Sequence, residues 1–344
     1  MDNLKKRPTF KKYSLNQGLQ ILKILLCFWI VVVHTCHRSN KLIINLLFKR
    51  QFHVPGFVII SFYYFNKIIS QRDIYKAKQR IIRLFLPYFI IPSVVWTFNN
   101  LLYIFFNFNR FGRTLTFIEL MNQFLTGTVF HRIFWFQFVI IFLTVLFLII
   151  SFAFKGNYLI IIQLFGIISL ILQYSGHNYK YFYKYKKNSR LGSIAELFPH
   201  SVIGLSFGEI NLIEILHKFR LRVICICCLF LYFIYQYDIF KKIQGINYPG
   251  ILFPLGGMLL FIIFSLIFTL NNTKEYMMYI IKFCSNYTAG IYYYHCVTVF
   301  YLRFIKQIKN RTFIGSIIIY IVTYLICFIG NKIFGKNDFK YLFS

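Results

Sequence analysis

The chain has 344 residues, 58% of them hydrophobic and 14% charged, and its mean hydropathy is +0.62. That mixture cannot cover a soluble protein of this size with polar surface. Thirty-nine Lys and Arg stand against nine Asp and Glu, a formal net charge of +30. The basic residues fall in short connections between apolar runs, the pattern of headgroup contacts; this argues against a nucleic-acid partner, which needs one continuous basic groove.

In chain order, the apolar runs are Leu19–Cys36, Val54–Ile69, Leu84–Phe106, Ile133–Phe154, Leu159–Tyr174, Ile194–Ile213, Leu221–Tyr235, Ile251–Leu270, Tyr279–Leu302 and Phe313–Phe334. Stretches such as Phe136–Phe154 and Ile251–Leu270 carry no charge at all, so lipid must cover them. The expected fold is all-α, a polytopic transmembrane helix bundle of about ten spans. A basic N-terminal tail (residues 1–17, with Lys5, Lys6, Arg7, Lys11 and Lys12) precedes a membrane domain at 18–335, and a short tail follows at 336–344. No small-residue cleavage pattern follows the tail, so the first span is expected to be retained. An even span number puts both termini on one side. The N-terminal tail and Gln71–Arg83 outweigh Arg38–Arg50 in Lys and Arg, which favours cytosolic termini, with the plasma membrane as the expected location.

Two connections exceed a simple turn, Asn107–Arg132 and Ser175–Gly192. Within the first, Phe117–Phe130 has the apolar-polar character of a surface-lying segment. Tyr and Phe crowd the connections, as in Lys180–Lys187, where amphipathic rings suit the interface. The eight cysteines (27, 36, 225, 227, 228, 284, 296 and 327) lack the spacing of a disulfide framework or zinc site and read as small core residues. No metal is expected.

Ionisable groups inside spans need a reason, because each is costly there. Lys23 and His34 are eleven residues apart, so they share a helix face while climbing about 16 Å. They form either a cation and a base along one wall, or a snorkelling Lys and a hydrogen-bonded interfacial His. Lys76, Arg80 and Arg83 fall at i, i+4 and i+7, a basic stripe suited to phosphates or to an ordinary positive-inside flank. Glu196 lies four residues before His200, a proton-handling pair or an interfacial hydrogen bond, and Glu209 is placed to answer Lys23 or an Arg of the third span. Asn286, Tyr287, Tyr294 and His295 are candidates to face a cavity in the ninth run, and His53 stands at the mouth of the second. His37, His131 and His177 read as solvated loop residues.

An ordered set of motifs now adds to this reading. Lys23, ten residues and His34 is similar to the Arg/Lys-x10-His signature of the family-three membrane acyltransferases. Phe52-His53-Val54-Pro55-Gly56-Phe57 through Ser61 resembles that family's second span, and Arg80-Ile81-Ile82-Arg83-Leu84 through Pro87 its entry to the third. Trp135-Phe136 and Gly290-Ile291-Tyr292 through His295 resemble later landmarks. Each match is short; only their order across nearly the whole chain is specific. Two positions depart from the pattern. Phe62 stands where the family usually has Gly, and Gln137 where an aliphatic residue is usual.

The resemblance implies transfer of an acyl group, usually acetyl, from acyl-coenzyme A to a hydroxyl of a surface polysaccharide or lipid-linked glycan. It implies catalytic roles for His34, Lys23, Glu196 and His295, with His34 as base or transient acyl carrier. Arg80 and Arg83, supported by Lys76, would bind coenzyme A; His53, Trp135 and Tyr292 would contact the acceptor. Membrane lipid and a carbohydrate acceptor are the expected partners. The chain stops soon after the tenth run, so it is expected to act alone or with a separate partner protein. The alternative is a non-catalytic glycan or lipid transporter, whose His and Lys line a substrate path.

Overall fold

The computed structural model describes residues 13–36, 53–106, 116–127, 134–174, 191–210, 212–243, 252–267, 275–303, 305–335 and 341–343. Every extended regular element among them is an α-helix: α1 (Tyr13–Thr35), α2 (His53–Ser70), α3 (Ile74–Phe106), α4 (Phe117–Thr126), α5 (Trp135–Ala153), α6 (Tyr158–Tyr174), α7 (Leu191–Glu209), α8 (Leu212–His217), α9 (Arg220–Ile243), α10 (Leu252–Ile267), α11 (Glu275–Ser285), α12 (Thr288–Tyr301), α13 (Lys306–Lys309) and α14 (Phe313–Phe334). The all-α polytopic bundle expected from the sequence is what forms. The basic residues of positions 5–12, the connection at 37–52 with His37, His131, and the stretch at 175–190 with His177 and Lys180–Lys187 lie outside the described residues.

Among the described residues, four helices are long and apolar enough to cross a bilayer: Gln17–Thr35, Ile74–Phe106, Trp135–Ala153 and Phe313–Phe334. Large apolar side chains stay on the outside, including Phe142, Ile149, Leu164, Ile168, Phe230 and Ile329. A bundle that hides its polar groups and displays its apolar ones is built for a lipid solvent.

Three expected spans have different limits from those read in the sequence. The third is the C-terminal part of a 33-residue helix that begins at Ile74, so the basic connection after the second span is itself mostly helical. Its start is set by Asp73, whose carboxylate accepts the Lys76 N–H at 2.9 Å and pairs with Lys76 Nζ at 2.6 Å. Those two contacts hold the Asp73 carboxyl below its ordinary range. The sixth span ends at Glu209 and the chain re-enters the short α8. The ninth is broken at Asn286–Tyr287, where the Thr288 hydroxyl donates to Ser285 O at 2.9 Å. In the expected surface-lying segment, α4 carries a capping box between Thr116 and Glu119 and ends on Gly127 in the left-handed region, φ 68. Its Leu120 and Phe124 are buried, and the Tyr88 hydroxyl donates to Phe124 O at 2.6 Å, which fastens α4 to α3.

α2 is the central helix. Val58, Phe62 and Phe65 pack with α5, α6 and α7, whereas Ile59 and Ile60 pack with α1, α9 and α10. Its seam with α7 rests on Gly204 and Gly208, a small-xxx-small spacing that lets backbones approach. A Cβ at Gly204 would collide with Ile59 O and lie 3.1 Å from Phe62 Cβ. Gly204→Ala should therefore destabilise the bundle. The intrinsic helix gain of about 1 kcal/mol is outweighed by a backbone clash, for a net loss of about 1–3 kcal/mol. Thermal unfolding in detergent checks the sign.

The two departures from the family pattern both serve packing. Phe62 is fully buried, in edge contact with Phe147 at 5.3 Å and beneath the Arg80 guanidinium at 5.4 Å. Gln137 Nε2 donates to Leu84 O at 2.5 Å and so ties α5 to α3.

Candidate active site

α1 and α12 run parallel, and two contacts fix their register. Cys27 Sγ donates to Thr288 O at 3.3 Å. Seven residues further along both helices, about 10.5 Å of rise, the rings of His34 and His295 meet with centroids 5.2 Å apart. The local sequence explains how α12 presents His295: Thr288, Ile291, His295 and Thr298 form one buried stripe. Gly290 allows the approach to α14, since a Cβ there would lie 2.7 Å from Cys327 Sγ and 2.6 Å from Phe343 O. α1 is held from its other side by the Thr35 hydroxyl, which donates to Ser316 Oγ of α14 at 2.6 Å.

The hydrogen bonds of His295 decide its chemistry. Its Nδ1 lies 2.7 Å from Tyr292 O and 3.2 Å from Ile291 O. Carbonyl oxygens only accept, so Nδ1 carries the proton and Nε2 the lone pair. Nε2 is 3.1 Å from the sulfur of Cys296. His295 is buried at 1% exposure, whereas His34 keeps accessible surface. His53 is the third imidazole in this region. It is buried beside Trp29 of α1 at 5.7 Å, close enough to interact electrostatically with His34, and its Nδ1 has no hydrogen-bond partner among the described residues.

The nitrogens of His34 and His295 and the sulfur of Cys296 lie within 4.8 Å of one another. The sequence pointed to no metal. This set has the donor chemistry of a three-ligand site for a borderline-soft cation, and closing it on a tetrahedral ion needs separations of about 3.3–3.6 Å.

The remaining expected site residues are dispersed. Tyr292 packs on His295 at 6.0 Å and on Phe136 at 5.4 Å, so it belongs to the imidazole pocket. Trp135 stacks edgewise on Phe136 at 6.0 Å, one ring further out. Lys23 is half-buried on the same α1 face as Cys27, with which it interacts electrostatically. Glu196 is partly buried on α7, and His200 is buried one turn further on, its Nδ1 without a hydrogen-bond partner among the described residues. Glu209 accepts from Asn66 Nδ2 at 3.0 Å, so its partner is an amide of α2 where the sequence anticipated Lys23 or an arginine.

The basic stripe on α3 divides among three tasks. Lys76 is exposed and caps the helix start with Asp73. Arg80 turns into the bundle: NH2 donates to Ser61 Oγ at 2.9 Å, NH1 to Ser61 O at 3.2 Å and Nε to Thr144 Oγ1 at 3.5 Å. Its guanidinium lies 4.3 Å from the Phe65 ring centroid. Arg83 is exposed, 4.8 Å over the ring of Tyr341. A helix places i, i+4 and i+7 on one face, but the length of the Arg80 side chain lets its head leave that face for two neighbouring helices.

Cys296 is the residue that sequence reasoning passed over, having grouped it with the core cysteines. The signal available was its adjacency to His295 at the end of the last motif. Compared with known proteins, the chain has no match among curated proteins or solved structures. A family model described as an acyltransferase domain, that of acyltransferase family three, matches residues 16–332, a span that includes His34, His53, His295 and Cys296. The chain therefore belongs to the family-three acyltransferases, integral membrane proteins that transfer acyl groups.

Proposed function

We propose that this acyltransferase moves an acetyl group from acetyl-coenzyme A to a hydroxyl of a surface polysaccharide or lipid-linked glycan, in the plasma membrane and with both termini cytosolic. The observation that carries the reading is the His34–His295 contact, an exposed imidazole backed by a second whose tautomer is fixed. Acyl transfer to a hydroxyl needs a base for the hydroxyl proton and donors for the developing oxyanion. His34 is the base, since a neutral imidazole nitrogen offers a lone pair to the hydroxyl proton. His53 and Tyr292 line the acceptor side, with Trp135 behind Phe136. Lys23 and Glu196 lie further from the reacting atoms and act on the approach to them.

Arg83, exposed on α3, binds the phosphates of the donor in this reading, supported by Lys76 on the same helix face. Arg80 has three of its five N–H groups committed to Ser61 and Thr144, so it positions α3 beneath them. The test is transfer of radiolabelled acetyl by the purified, reconstituted protein. Arg83→Ala should raise KM for acetyl-coenzyme A about tenfold with kcat held, the loss of one charge-assisted phosphate contact; an unmoved KM takes Arg83 out of the donor site. Glycan movement in liposomes without an acyl donor, with no coenzyme A binding, would replace the enzyme by a transporter.

A further inference from the structure

We infer that Cys296 receives the acyl group first, as a thioester, with His295 as its base. The inference rests on the coenzyme A reading above and adds a covalent step to it. Successive residues of a helix point about 100° apart, so a contact between His295 and Cys296 is not imposed by adjacency. What the imidazole presents to the sulfur at 3.1 Å is Nε2, the nitrogen left with a lone pair once Nδ1 has donated to Tyr292 O at 2.7 Å. A nucleophile, a base and a third group that orients the base are the constellation of an activated thiol. Here the orienting group is a backbone carbonyl. A bare thiolate is costly in this apolar setting, so attack is coupled to proton transfer.

Both half-reactions balance. Cys296 Sγ attacks the thioester carbonyl, His295 Nε2 takes the thiol proton, the bond from carbonyl carbon to the coenzyme A sulfur breaks, and the proton leaves with that sulfur. One carbon–sulfur bond replaces another. In the second half, the acceptor oxygen attacks the Cys296 thioester and His34, 5.2 Å from His295, takes the hydroxyl proton. The carbon–sulfur bond breaks, and the proton taken by His34 passes through His295 Nε2 to the Cys296 sulfur, which leaves both imidazoles neutral. His34 is therefore free to serve the acceptor while the acyl group is held on the inner pair, a division of labour that matches their exposed and buried positions.

The experiment needs no variant for its main result. Reconstituted protein is incubated with radiolabelled acetyl-coenzyme A and no acceptor, quenched in acid and digested. The expected result is one acetyl group on the peptide holding Cys296, released by neutral hydroxylamine and discharged when polysaccharide is added. In Cys296→Ser, the stock at that position becomes a hydroxylamine-stable ester or is absent, and transfer falls at least about tenfold. His34→Ala loads Cys296 but does not discharge it. Normal acetyl transfer with no acetyl on Cys296, or full turnover in folded Cys296→Ser, overturns the thioester and leaves the acyltransferase reading standing. Neither loading nor transfer by the wild-type protein overturns both.

Discussion

His34→Ala is expected to lower acetyl transfer by about 10²–10⁴-fold, the usual contribution of a positioned general base, while thermal stability in detergent stays within about 0.5 kcal/mol of wild type. The two halves of the expectation have separate grounds. His34 is exposed and its ring makes one aromatic contact, to His295, so little packing is lost with it. The neighbours that hold α1 in place, Cys27, Val31 and Thr35, are untouched. The loss should fall on kcat, because the hydroxyl proton moves in the transition state and not on binding. Turnover equal to wild type in a folded His34→Ala protein would remove His34 from the chemistry.

Arg80→Ala is expected to act in the opposite sense, on stability before catalysis. The guanidinium bridges α2 and α5 through Ser61 and Thr144 and lies over two phenylalanine rings. Truncation leaves the Ser61 hydroxyl and carbonyl without their donor and opens a void above Phe62 and Phe65. Together these give a loss of about 2–4 kcal/mol. Arg80→Lys keeps the charge but not the fork, and should recover less than half of that. Stability curves for the pair separate this role from phosphate binding. A donor-binding Arg80 would raise KM in both variants and leave unfolding unchanged, the outcome that would sink the positioning role.

Much of the fold was legible without coordinates, for a physical reason. In a lipid solvent every backbone polar group must be paired within its own segment, so a long apolar run can be little else than a helix. The ten runs therefore appear as helices. Their limits were less legible where other forces set them. Asp73 caps α3 well before the apolar run starts, the charged stretch Lys76–Arg83 being helical through local bonds that hydropathy does not register. The break at Asn286–Tyr287 lies inside an apolar run for the same reason.

The site divides along the same line. Sequence alone singled out His34, His295 and the arginines, because their order and spacing resemble a family pattern, and it determined that Lys23 and His34 share a helix face, because 100° per residue is a local rule. Only the tertiary structure decided that His34 meets His295, that Arg80 faces inward to Ser61, and that Cys296 stands against His295 Nε2. Periodicity states which side of its own helix a residue occupies, whereas which helix stands opposite depends on how the helices pack side by side, and that is set by contacts such as Gly204 on Ile59 and Gly290 on Cys327 that join residues far apart in the chain.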